Sequence, residues 1–195
     1  MLQRSLYAGL ILALACSVGP AGDKGKPKGK EMDNPFKTAK VGDFTAYKLS
    51  TKIGDLAVDG TMKQTVTAKD DKTVTLKMTA SVLGMETPPQ ITTIDLTKPF
   101  DPLSVANQGN KAQKAKFDKT GEGKEKIKVG GKEYDCTYIT GKSEAEALGQ
   151  KINADVKIWF SKAVPLNGML KMETKTNLAD IVIELSESGS EKAKE

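Results

Sequence analysis

The stretch that decides the fold is residues 56–82, LAVDGTMKQTVTAK-DDK and then TVTLKMTASV. In the first run Leu56, Val58, Met62, Val66 and Ala68 fall on one parity, while Asp59, Thr61, Lys63, Thr65, Thr67 and Lys69 fall on the other. After Asp70-Asp71-Lys72 the pattern resumes, with Val74, Leu76, Met78, Ala80 and Val82 against Thr73, Thr75, Lys77, Thr79 and Ser81. Period two over consecutive runs joined by a short polar turn predicts an antiparallel hairpin with one apolar face.

The same alternation continues outward. Residues 44–53 precede the pair through Gly54-Asp55, and residues 91–97 follow Pro88-Pro89, a dipeptide that sits poorly in a central strand. Beyond a lysine-rich stretch, residues 124–129 place Ile127 and Val129 on one side. Gly130-Gly131 is a two-residue hairpin signal, after which Tyr134, Cys136 and Tyr138 share a face. Residues 155–161 set Val156, Ile158 and Phe160 opposite Lys157 and Trp159, and residues 169–176 and 180–185 complete the set. One short helix is expected at residues 144–151, where Ser143 and Glu146 form a capping box. The fold class is therefore mainly β: an antiparallel meander of eight or nine strands curled into a barrel or half-barrel, or else folded into a two-layer sandwich.

The chain before this domain has a different character. Arg4 is followed by a ten-residue apolar run, LYAGLILALA at 6–15, too short for a bilayer core, which takes about 20 residues, but suited to a signal peptide. Residues 1–15 are read as that signal, 16–40 as a flexible Gly/Pro/Lys tether, 41–186 as a single β domain and 187–195 as a disordered tail. The Ala15-Cys16 junction resembles the lipobox of bacterial lipoproteins, in which the cysteine after the cut is acylated. It departs from that pattern in having Ala13 where leucine is usual. Ordinary cleavage at Ala15 or near Ala21 is the competing reading. Either way the protein is expected to be exported, to the periplasm or outer membrane if lipidated at Cys16, or else to the extracellular space.

The charge balance follows from this division. The chain holds 30 Lys+Arg against 25 Asp+Glu. Setting aside Arg4 with the four lysines and one aspartate of residues 23–30 leaves 25 lysines against 24 acids, so the domain is nearly neutral.

Composition excludes much chemistry. There is no histidine, and Arg4 is the sole arginine, so the imidazole bases, common zinc sets and bidentate anion clamps are missing. No catalytic residue, metal site or cofactor is expected. Cys136 has neither histidine nor arginine to activate it and is read as an inert core thiol. The lysines at 111–132 around Phe117 are diluted by Glu122, Glu125 and Glu133 and lack stacking aromatics, which argues against a nucleic-acid partner.

Residues 130–136 (GGKEYDC) and 159–171 (WFSKAVPLNGMLK) together resemble a group of poorly characterised exported bacterial β proteins. In these a VGGK hairpin precedes a Trp-bearing strand and a V-P-L-x-G loop. A more distant architectural similarity is to curved-sheet lipoprotein-sorting and lipid-carrier proteins of the envelope, which carry several helices where this chain offers one. A curled antiparallel sheet has a concave apolar face, so the expected function is that of a non-enzymatic envelope protein that binds a lipid, another apolar ligand or a partner through that sheet. The alternatives are an interaction module using a sheet edge or exposed loop and, last, a hydrolase without histidine. Expected partners are an apolar ligand, an envelope protein or an anionic envelope polymer, with membrane contact only through the anchor. Alternation turns Trp159 outward, and with Val164, Pro165 and Leu166 it is expected to form an exposed binding patch.

Overall fold

The computed structural model describes residues 34–100, 116–147 and 150–191. Ten strands form one antiparallel sheet: β1 (Asp43–Ile53), β2 (Leu56–Lys69), β3 (Thr73–Val82), β4 (Met85–Glu86), β5 (Gln90–Asp95), β6 (Lys116–Val129), β7 (Lys132–Ala147), β8 (Gln150–Phe160), β9 (Met169–Thr176) and β10 (Asp180–Ser190). Their spatial order is β4-β3-β2-β1-β10-β9-β8-β7-β6, and β5 pairs with β3 alongside β4. The meander is thus split, its first and last strands meeting in the middle where β1 pairs with β10.

The hairpin at 56–82 forms as its alternation dictates. Val58, Val66, Val74, Leu76 and Val82 are buried, while Met62 and Met78 are half-buried. Asp70 shapes the turn by accepting hydrogen bonds from the Lys72 and Thr73 amides, both at 2.7 Å. These bonds hold its carboxyl below the usual carboxylate range. Ala68 is an exception to the pattern. A bulge between Val66 and Ala68 shifts the register, so Ala68 is exposed instead of inward.

Four expectations are corrected. The sheet is open and not strongly curled: among the described residues all ten strands belong to one sheet and no pairing joins β6 to β4 or β5, which corrects the expected barrel, half-barrel and two-layer sandwich alike. The expected helix at 144–151 is instead strand, β7 running to Ala147 and β8 starting at Gln150. Pairing of residues 144–147 with β8, and of Ser143 and Glu144 with β6 as well, outweighs the local capping box, as tertiary context does for weak propensities. The expected tail is partly ordered, because β10 reaches Ser190 opposite Asp43 on β1. The tether also ends earlier than residue 40: a 3-10 turn at Pro35–Thr38, capped by Asn34, buries Phe36 completely. The signal and Cys16 lie outside the described residues.

The register defines one inward face. Tyr47, Leu49 and Thr51 on β1 stand opposite Met62, Gly60 and Val58 on β2, and opposite Leu185, Ile183 and Ile181 on β10. The row through Ile183 continues to Met172 and Ile158. Of these, all but Thr51 and Gly60 belong to, or pack against, the main core cluster.

Candidate functional site

At one end the inward face is closed by the chain itself. A second cluster joins Val66, Val74 and Leu76 of β2 and β3 to Phe36 and Ala39 of the N-terminal turn, Leu96 after β5, and Leu166 of the β8–β9 loop. Phe36 and Phe100 meet edge to face at 5.8 Å. The β8–β9 loop is built to deliver Leu166. The Ser161 amide donates to the Gly168 carbonyl (2.8 Å), and the Ser161 hydroxyl donates to the Asp135 carbonyl (2.9 Å). Leu166 takes the left-handed conformation (φ 62°), a cost of about 1–2 kcal/mol that its burial repays.

Asn167 then anchors the loop. Its Oδ1 accepts from the Met169 amide (3.0 Å) and from the Tyr47 hydroxyl (3.1 Å), which also approaches the Met169 carbonyl at 3.3 Å. Tyr47 is fully buried, and that burial pushes its pKa up to about 12 from an ordinary 10.0. The neutral form is the one favoured by the fold. Its contribution, about 2–3 kcal/mol, is fully present below about pH 10 and is lost as pH rises through about 12. Urea unfolding across pH 9–12 should therefore show a steep alkaline loss of stability that Tyr47→Phe lacks (about 2 pH units of differential titration removed).

The expected exposed patch is corrected by the same geometry. Trp159, Val164 and Leu166 are buried and Pro165 is half-buried. Trp159 does face away from Val156 and Ile158, as its alternation requires, but neighbours on β6, β8 and β9 cover it. Lys157 and Lys171 place their ammonium groups 4.5 and 5.6 Å from its ring centroid, and its Nε1 donates to Glu125. Lys157 pairs with Glu125 at 2.9 Å and lies 4.3 Å over the Tyr138 ring. Lys157, and then Trp159, holds the Glu125 carboxyl below its ordinary range. Cys136 is buried beside this group; burial first, then the Glu125 carboxylate, pushes its thiol up, away from the reactive thiolate. Beside this cluster lies a shallow outer groove of about 190 Å³, whose Asp155 and Glu173 balance Lys157 and Lys175.

The opposite end of the inward face is where apolar side chains meet solvent. Leu56 (50% exposed), Leu83 (48%), Met85 (44%) and Leu178 (38%) all lie at the ends of β1–β4 and β9–β10 away from the loop. Register puts Leu56 opposite Ile53 and Met85 opposite Val82, on the inward side, while the Leu83 amide donates to Asp59 and ties the two hairpin tips together. None of these four was singled out from the sequence. The signal available was only that each is a large apolar residue at a hairpin tip.

No family model and no curated protein matches the chain. Among solved structures it is similar in fold to a Bacteroides fragilis protein described as exported and YmcC-like in fold, with 10% identity, a TM-score of 0.53 and coverage of 77% of this chain and 97% of that one. It also matches a Parabacteroides distasonis protein described as a lipoprotein (11% identity, TM-score 0.47, 77% and 96% covered). A third match is the Chlamydia trachomatis protein CT021 (12% identity, TM-score 0.46, 86% and 96% covered). The first likeness shows a similar fold, at a level of identity that carries fold alone.

Proposed function

We propose that this is an exported, non-enzymatic envelope protein, anchored through an acylated Cys16, that binds an apolar ligand on the inward face of its open sheet. The carrying observation is the unequal closure of that face. One end is sealed by Phe36, Leu96 and Leu166, whereas the other is rimmed by the exposed Leu56, Leu83, Met85 and Leu178. The side chains between the two ends are buried, so the apolar rim is the end at which an apolar ligand would enter by parting them. The description of the Bacteroides protein as exported supports export, and the Ala15-Cys16 junction supports the anchor.

Strand addition at a sheet edge is the weaker reading. The long β6 edge carries Lys119, Lys124, Lys126 and Lys128 and a bulge between Lys119 and Gly121, and the β5 edge is six residues long behind Pro88-Pro89. Charge, bulges, brevity and proline are the devices that keep edges from pairing. The experiment for the leading reading is a binding titration of the full exported chain with the neutral apolar probe N-phenylnaphthylamine. Aspartates placed on the rim should abolish binding that aspartates at other exposed apolar positions leave intact.

A further inference from the structure

On the outer face of the sheet, opposite charges stand across from each other without pairing. Register sets Asp155 on β8 directly opposite Lys175 on β9, and Lys157 directly opposite Glu173. Opposed residues of opposite sign ordinarily pair across a sheet. Here Lys157 turns to Glu125 on β6, and Glu173 turns to Lys171 on its own strand, both at 2.9 Å. Among the described residues, Asp155 and Lys175 have no ion-pair partner. The outer groove of about 190 Å³ lies between these four side chains.

The rest of the groove's polar lining is a pair of hydroxyls. The bulge between Lys119 and Gly121 leaves Thr120 without a counterpart on β7, and its hydroxyl donates to that of Thr140 at 3.2 Å. Gly121 leaves room for this pair, since a Cβ there would stand 2.9 Å from the Thr140 Oγ1. The bond keeps the Thr140 hydroxyl as a donor and the Thr120 oxygen as an acceptor, both lining the groove.

These groups exclude several kinds of ligand. Two carboxylates and two ammonium groups cancel, so the groove has no net charge with which to draw in a simple anion or cation. Lys157 lies 4.3 and 4.5 Å over the Tyr138 and Trp159 rings, so the aromatic faces beside the groove are already occupied. What remains is an alternation of donors and acceptors, which a hydroxyl group matches because it donates and accepts at once. The volume falls short of the roughly 300–1,000 Å³ that encloses a drug-sized ligand, so it suits one residue of a longer chain.

We propose that this groove binds one residue of an uncharged polysaccharide. Neighbouring hydroxyls of the sugar bridge the Asp155 carboxylate and the Lys175 ammonium, and a further hydroxyl meets the Thr120–Thr140 pair. The site lies on the other side of the sheet from the proposed apolar face and stands independently of it.

The test follows backbone amide shifts of the full exported chain titrated with maltotetraose, mannotetraose and chitotetraose in the millimolar range. At least one of them should shift the Thr140, Gly141 and Val156 amides saturably. Its affinity should be the same at low salt and at about 1 M salt, where screening acts over about 3 Å. Asp155→Ala removes the acceptor, and Gly121→Ala displaces the Thr140 hydroxyl. Each should weaken binding at least about 10-fold, as loss of a hydrogen bond involving a charged group or of a paired hydroxyl does. Both variants should keep the wild-type urea midpoint, and Lys48→Met, on the same face of β1 outside the groove, should bind as wild type. Three results would overturn the assignment. They are no saturable shift with any of the three sugars, wild-type affinity in both groove variants, or tighter binding of phosphoethanolamine that high salt abolishes, which would mark a site for a zwitterion instead.

Discussion

Leu166→Asp should lower the free energy of unfolding by about 4 kcal/mol or more, the range for an uncompensated buried charge. Leu166 is 2% exposed, with Phe36, Val66, Val74 and Leu76 in its cluster and no cation among them. The left-handed backbone at this position is easier for aspartate than for leucine, which returns about 1 kcal/mol at most. Urea melts read the loss directly. Pro165→Ser, one residue away and half-buried, should change stability by less than about 1 kcal/mol. A Leu166→Asp variant as stable as wild type would mean that the β8–β9 loop does not seal the face.

Gly42→Ala should be the next most damaging change. Gly42 has φ 92°, a conformation that L side chains rarely adopt, and an added Cβ would stand 2.1 Å from the Glu191 carbonyl oxygen. That oxygen is backbone and cannot rotate away. Gly42 also donates to the Val66 carbonyl (2.9 Å) and accepts from the Glu191 amide (2.8 Å), so it clips β2 to the end of β10. Strain and displacement together should cost about 3 kcal/mol. Amide exchange should accelerate at Ser188 and Ser190, which pair with β1 beside the clip, before it does so in the core strands. Alanine tolerated there, with residues 188–190 unprotected in the wild type as well, would show that β10 ends before Ser190.

The strands were legible in the sequence because half-buried strands write their own period. Val58, Val66, Val74, Leu76 and Val82 needed nothing beyond alternation to be placed inward. Register was not legible, and most of the differences come from it. Ala68 is exposed because of the bulge after Val66, which no composition marks. Trp159 was turned to the correct side, yet its cover comes from Glu125, Lys157 and Lys171, a set that forms only once β6, β8 and β9 are aligned. Leu166 is apolar in a loop, and a loop of that kind satisfies itself as readily by folding onto a free sheet face as by waiting for a partner. The helix expected at 144–151 failed for a related reason, since Ser143 and Glu146 advertise a cap that pairing on both edges of β7 outweighs. Cys136, read as an inert core thiol, is buried with its thiol pushed upward.

The candidate site was less legible than the fold. The rim of Leu56, Leu83, Met85 and Leu178 exists only because three turns, each ordinary alone, converge at one end of the sheet.

The most direct measurement is N-phenylnaphthylamine binding to two variants matched in apolar loss and added charge. Leu56→Asp/Met85→Asp alters the rim, and Val41→Asp/Ile91→Asp alters exposed apolar residues away from it (46% and 61% exposed). All four positions are at the surface, so both variants should unfold within about 1 kcal/mol of wild type. The account predicts at least about 10-fold weaker binding for the rim variant, a 1.4 kcal/mol loss, and wild-type binding for the other. Equal binding by both variants, or a loss confined to Val41→Asp/Ile91→Asp, would contradict an entrance at the rim.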